Sequence, residues 1–408
     1  MKSMNKKIFS LVLLVIFISC SSRKNEQKLH FDGEYYTIDL DRKKETFYPI
    51  SSLFNNVRTI VLETKKNCLI GIVDDFQVFD GHIYLLDSKK AKSLFVFDME
   101  GRFIGKIGSL GRGPGEYLEI RDFTIDTEKR NIFICDAFNR IHKYQLDGTF
   151  ISTITIQAPN SNADYIQFYN DRLYSYHLWW ENTNDNFMLL ESDQNNGKII
   201  SRSLPVKYNK GWNQAFRDIH SRNFMSRANN PPRFNLMFMD YIISIGKEIT
   251  PYIEMKSKYL TTETDIESFR GEAGLIPNIS NIFNSSKLFG VCCFIENDDF
   301  ICFRIGMGIS PNFVIIYYKK TGEVKLANYL SNDLIYKKDT KGMFEKFVFA
   351  DKKGAYSVLN VQYDNLNDFK NAIKNNETVP DLDKSDQLMK LDEESNPVIF
   401  FYEFIDAE

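Results

Sequence analysis

Residues 75–103, DFQVFDGHIYLLDSKKAKSLFVFDMEGRF, and residues 122–150, DFTIDTEKRNIFICDAFNRIHKYQLDGTF, are two versions of one pattern. Each opens on Asp-Phe, passes through three apolar segments separated by turn residues, and closes on Gly-x-Phe at the start of a fourth. The offset is 47 residues (122 − 75). Short segments rich in Val, Ile, Phe and Tyr read as strands. A four-strand unit of this length is one blade of a β-propeller.

Further copies follow from one anchor. A tight hairpin before each outermost strand calls for a residue with positive φ, which glycine supplies at little cost. Gly101 and Gly148 occupy that place, Gly197 follows 49 residues after Gly148, and Gly322 lies 125 beyond Gly197. The longer gap leaves room for one more blade around Phe238–Tyr259, with Pro251 starting or edging a strand. Phe347–Ala350, Ala355–Leu359 and residues 397–404 supply a last one. The expectation is an all-β, six-bladed propeller of four-stranded antiparallel blades over residues 34–408. An aromatic content of 14% suits it.

A ring has to close. Residues 35–40 and 59–63 are strand-like and precede the first full repeat, so one of them is expected to pair with the C-terminal blade and leave no open edge. Two insertions interrupt the pattern. Residues 207–234, rich in Arg, Asn and Pro, read as a long loop; residues 364–396 read as partly helical, with Leu366, Phe369 and Ile373 on one face.

The stretch 106–117, KIGSLGRGPGEY, joins the outer strand of one blade to the inner strand of the next. Its glycines permit the crossing and Pro114 stiffens it. With Phe95–Tyr117 in view, the chain resembles the six-bladed β-propeller lipoproteins common in Bacteroidota, a branch similar to NHL-repeat propellers. The resemblance is clear over residues 74–156; it implies the six-blade count and carries over no catalytic residue. A second reading of the loop is an anion-binding nest of backbone N–H groups with Arg112 adding charge.

The N-terminus is an address. Lys2, Lys6 and Lys7 precede the apolar run Ile8–Ile18, which has the length and flanks of a secretory signal. Phe17-Ile18-Ser19-Cys20 resembles a lipobox, which makes residues 1–19 a signal peptide, Cys20 the lipidated first mature residue and residues 20–33 a tether. An outer-membrane lipoprotein is expected, facing the periplasm or the cell surface. Removing residues 1–19 leaves 48 basic and 54 acidic residues, a net charge of −6. Nothing in that balance suggests nucleic acid, which would call for a basic face.

Chemical motifs are few. His30, His82, His142, His177 and His220 are scattered without metal-ligand spacing, and no Gly-x-Ser-x-Gly is present. Asp87, Asp136, Glu296 and Asp298 fall at strand ends. They would either meet at a channel mouth around a divalent metal, as in lactonase-like propellers, or form repeated turn hydrogen bonds. No cofactor is otherwise expected. After Cys20 there are five cysteines. A hairpin around Asn297-Asp298 would set Cys293 opposite Cys302, within disulfide reach, while buried thiols are the alternative. Tyr174, Tyr176, Trp179 and Trp180, with Trp212 in the long loop, suit either stacking on sugars or packing between blades.

Three functions follow. The first is a non-catalytic envelope lipoprotein whose propeller binds or scaffolds a protein or polymeric ligand. The others are a glycan-binding accessory lipoprotein and a metal-dependent lactonase or lyase with its site in the channel.

Overall fold

The computed structural model describes residues 26–27, 29, 31, 33–179, 186–212, 224–225, 231–270, 278–307, 313–337, 346–362, 364 and 366–405. Six antiparallel blades of four strands form the ring. Blade 1 is Asp75–Phe79, His82–Asp87, Ser93–Asp98 and Phe103–Ile107; blade 2 is Asp122–Asp126, Asn131–Cys135, Arg140–Gln145 and Phe150–Thr155. These are the two sequence copies, strand for strand. Blade 3 spans Ser161–Tyr169 to Ile199–Pro205, blade 4 Phe224–Met225 to Ile249–Lys256, and blade 5 Leu288–Glu296 to Val324–Ala327. Blade 6 takes Phe347–Ala350, Gly354–Leu359 and Val398–Phe404 from the C-terminal end and its outermost strand, Phe54–Val61, from the N-terminal end. The expected closure is therefore made by the second of the two candidate segments.

Strand alternation sends side chains to both faces of each blade, and a ring buries both. The core is accordingly divided into radial wedges. Phe76, Phe95 and Phe97 meet Tyr356 and Phe401 between blades 1 and 6. Tyr84, Tyr117, Phe123 and Tyr144 fill the seam between blades 1 and 2. Phe133 stacks on Phe168 between blades 2 and 3, with centroids 5.1 Å apart. The helix Leu366–Lys374, within the second-to-third-strand connection of blade 6, buries Leu366 and Phe369 in the wedge between blades 5 and 6. Helices Glu263–Phe269 and Ile279–Asn284, between blades 4 and 5, were not legible in the repeat pattern.

The turn glycines do what the hairpins require. Gly101, Gly148, Gly197 and Gly322 all have positive φ. Gly197 has a second constraint: a Cβ there would collide with the carbonyl of Thr155, the last residue of blade 2's outer strand. Gly197 also accepts a backbone hydrogen bond from Gln157 at 2.9 Å, so the turn of one blade is seated on the next-door strand. Gly197→Ala is expected to cost about 1–3 kcal/mol, from positive φ plus the collision. A denaturant midpoint within error of wild type would refute that seating.

A feature absent from the sequence reading is the path of the N-terminal segment. Glu26–Gln27 pairs in parallel with Arg202–Ser203 of blade 3, and Tyr36–Asp39 pairs in parallel with Ile253–Lys256 of blade 4. Glu45 bridges Ala327, and Tyr48–Pro49 pairs with Leu330–Ser331 beside blade 5. The chain thus runs as a strap around the outer edges of blades 3, 4 and 5 before entering blade 6. It covers edges that would otherwise offer unpaired N–H and C=O groups. Residues 35–40 are a strand as expected, but as a fifth strand on blade 4, not the closing strand. Pro251, which cannot donate to a ladder, sits beside a register shift in blade 4's outer strand.

Candidate ligand-binding site

Each blade sends its first-to-second and third-to-fourth hairpins to one side of the ring, here the turn face. The second-to-third connections and the crossovers between blades lie on the other side, the loop face. The sequence candidates fall mostly on the loop face or in the seams.

The crossover 106–117 holds an anion of its own. The Gly113 N–H donates to Glu116 Oε2 at 2.8 Å, and a Cβ on Gly111 would run into the same carboxylate. Gly111 N also donates to the Tyr117 carbonyl at 3.0 Å, and Glu116 N to that of Gly113 at 3.0 Å. The loop therefore folds around its own side chain, and Arg112 stays exposed at its edge.

Asp87 and Asp136 have the same duty twice. Asp87 accepts from Gly71 N at 2.7 Å, Ile72 N at 3.2 Å and Lys90 N at 2.8 Å. Asp136 accepts from Leu118 N at 3.1 Å, Glu119 N at 2.8 Å and Ala137 N at 2.6 Å, as well as from Arg140 and His142. Gly71 and Leu118 are again 47 residues apart (118 − 71). Both carboxylates tie a blade's second strand to the crossover that enters it. Burial pushes the Asp136 carboxyl up, but His142 and the backbone donors outweigh it and hold it below the ordinary range.

Glu296 is not beside them. It lies between blades 4 and 5, with Arg233 Nε 2.9 Å from Oε1 and the Tyr252 hydroxyl donating to Oε2 at 2.6 Å. Lys319 Nζ lies 3.4 Å from Oε2, and the Arg233 guanidinium stacks on the Tyr252 ring at 3.5 Å. Asp298 is exposed at the hairpin tip. The four carboxylates do not converge, and no group of three or more metal-capable side chains occurs among the described residues.

The aromatic candidates also separate. Tyr174 and Tyr176 are buried in the wedge between blades 3 and 4, the packing role. Trp212 is 3% exposed, in edge contact with Phe238 at 5.1 Å. Trp179 ends a strand of blade 3, with its side chain outside the described residues; Trp180 and Cys20 also lie outside them. The Cys293–Cys302 pairing is corrected. A bulge between Cys292 and Ile295, with Cys293 at φ 53°, places Ile295 opposite Cys302, and both cysteines are free thiols.

One further concavity among the described residues was not anticipated. On the turn face, where blade 6 meets blades 1 and 2, a cavity of about 420 Å³ opens. Its floor is apolar: Val78, Met99, Ile125, Phe349 and Phe401. Its rim is polar and comes from three hairpins and the closing strand: Asp80-Gly81 of blade 1, Thr127 of blade 2, Asp351–Lys353 of blade 6, and Arg58. The Arg58 guanidinium lies over the Phe401 ring, 4.9 Å from its centroid. Asp351 Oδ1 accepts from Lys353 N at 2.7 Å and Gly354 N at 3.0 Å, and its Oδ2 accepts from the Tyr356 hydroxyl at 3.2 Å. Burial, reinforced by Asp351, raises the Tyr356 phenol and keeps it a donor. Asp80 pairs with Arg130 at 2.5 Å. Arg58 is brought here only because the ring closes with an N-terminal strand, so no local motif could have revealed the site.

Fold and cavity together define a six-bladed propeller with a turn-face pocket at its closure seam. The chain belongs to the family described as Domain of unknown function (DUF4934), whose model matches residues 35–403. Among solved structures it is similar to a candidate exported protein of Bacteroides fragilis, at 17% identity over 91% of this chain and 100% of that one, with a TM-score of 0.71. A member of the DUF4221 family from Bacteroides vulgatus matches at 13% identity over 86% of this chain and 99% of that one, with a TM-score of 0.50. At these identities the likeness is one of fold. No curated protein matches the sequence.

Proposed function

We propose that the protein is an exported lipoprotein of the bacterial outer membrane, anchored through Cys20, whose NHL-like propeller binds or scaffolds an envelope protein or polymer. The observation that carries the binding role is the turn-face pocket, a concave apolar floor with a few placed polar groups, the usual make-up of a recognition site. The signal-like residues 1–19 and the export ascribed to the Bacteroides fragilis relative support the location. Several acyl chains at about 0.8 kcal/mol per buried methylene would hold Cys20 in the bilayer.

The test has two readings in one host. Wild-type protein should fractionate with the outer membrane and Cys20→Ala with the soluble fraction. Thr127→Cys, labelled at the pocket rim with an environment-sensitive dye, should change its emission when envelope extract is added. Soluble wild-type protein would remove the anchor, and an inert dye would remove the binding role.

A further inference from the structure

We infer that the turn-face pocket takes an anionic group, such as a carboxylate, sulfonate or phosphate, carried on an apolar body of one or two rings' size. This rests on reading the pocket as the binding surface and adds the chemistry of what enters it.

The charges around the rim are segregated. On the side of blades 1 and 2, Asp80 and Arg130 neutralise each other. On the side of blade 6, the carboxylate lining the pocket is Asp351, which is committed to two backbone N–H groups and the Tyr356 hydroxyl, while exposed Glu403 lies outside the lining, opposite Asn56 and Gly354. Arg58, Lys352 and Lys353 are all exposed there, and none has an ion-pair partner among the described residues. A metal cation or an amine would meet net repulsion at this edge; an oxyanion would meet three donors.

Arg58 is also pre-oriented. The Phe401 ring centroid lies 4.9 Å from the guanidinium carbon, a cation–π contact that keeps the group over the pocket. No ion pair or hydrogen bond among the described residues takes its N–H groups, which suit a planar two-oxygen acceptor. Lys352 and Lys353 add charge beside it, tolerant of acceptor shape. Below them the floor of Val78, Met99, Ile125 and Phe349 offers no charged group, so it rewards an apolar body by desolvation. A volume of about 420 Å³ lies within the range of small-molecule sites. It suits a free acidic molecule, or the acidic end or side group of a longer chain.

The experiment compares two fluorescent naphthalenes that brighten in apolar sites, anionic 8-anilinonaphthalene-1-sulfonate and neutral N-phenyl-1-naphthylamine. Both are titrated into the full-length protein and into Arg58→Ala, Arg58→Lys, Lys352→Ala/Lys353→Ala and Met99→Trp variants, each checked for an unchanged melt. The sulfonate is expected to bind at one site and to weaken about tenfold in Arg58→Ala and again in the double variant, as loss of charge-assisted hydrogen bonds requires. Arg58→Lys should recover part of the loss, and added salt should weaken the wild type. The neutral dye should bind more weakly and ignore the cations. Met99→Trp, which fills the floor, should abolish both. If Met99→Trp abolishes both dyes but the cation variants leave the sulfonate unchanged, the anion assignment falls and the pocket stands. If Met99→Trp changes neither, or wild type binds neither, the pocket reading itself falls.

Discussion

Glu296→Gln is expected to lower the unfolding free energy by about 3–5 kcal/mol, the usual cost of breaking one half of a buried ion pair. The side chains of Glu296 and Arg233 are 1% and 9% exposed, so removing the carboxylate strands a guanidinium between blades 4 and 5. Arg233 would keep its bond to Ser244 Oγ at 2.6 Å and its stacking on Tyr252, neither of which balances its charge. Replacing both residues by Met should recover part of the loss, because the apolar pair needs no ion partner, while the Tyr252 hydroxyl and Lys319 still lose their acceptor. Urea unfolding of the wild type and the two variants decides this. A Glu296→Gln loss below about 1 kcal/mol would mean that water reaches the pair and that it behaves as a surface bridge. Burial pushes the Glu296 carboxyl up, but Arg233 and Lys319 outweigh it and hold it below the ordinary range. Its contribution is therefore present at neutral pH and is lost as pH falls below the ordinary glutamate range toward the depressed value.

A second acid-sensitive element acts earlier. His177 is fully buried, with Nδ1 2.8 Å from Ser161 Oγ and Nε2 2.8 Å from Ser175 Oγ. Burial pushes its pKa from 6.5 down to about 3. The unfolded chain takes up the proton below pH 6.5 while the folded chain refuses it until about pH 3, so stability falls as pH falls through that window. At about pH 5 the loss is ~2 kcal/mol, and it levels off below the folded value. His177→Gln should be less stable at pH 8 yet lack this slope. Wild type and variant with parallel stability curves between pH 7 and pH 5 would show that the imidazole is hydrated in the folded state.

The fold was legible where the chain repeats itself. Asp-Phe at 75 and 122, and the positive-φ glycines at 101, 148, 197 and 322, report local hairpin geometry, which each blade solves from its own residues. Legibility ended where geometry depends on distant residues. The strap strands 26–27 and 36–39 carry no signal of which blade edge they join. Cys293 left its expected partner because one bulge shifts a register that alternation alone leaves open. Trp212 sits in a polar stretch of sequence, yet it is buried against Phe238. The pocket was hidden most completely. Lys352 lies 272 residues beyond Asp80 (352 − 80) and joins Arg58 and Asp80 only through ring closure.

The strap also determines how the molecule would bear a load. Tension arriving from the N-terminal side meets the two-residue ladder at Glu26–Gln27 first, then the four pairs of Tyr36–Asp39, the Glu45 bridge and the two pairs of Tyr48–Pro49, and the closure strand Phe54–Val61 last. These contacts would yield in series, each paying out chain at up to about 3.3–3.6 Å per residue. Freeing residues 26–53 would lengthen the leash by on the order of 90 Å while all six blades stayed shut. The propeller thus carries a built-in slack line that spares its closure seam, and the pocket beside it, from a pull on the N-terminal side.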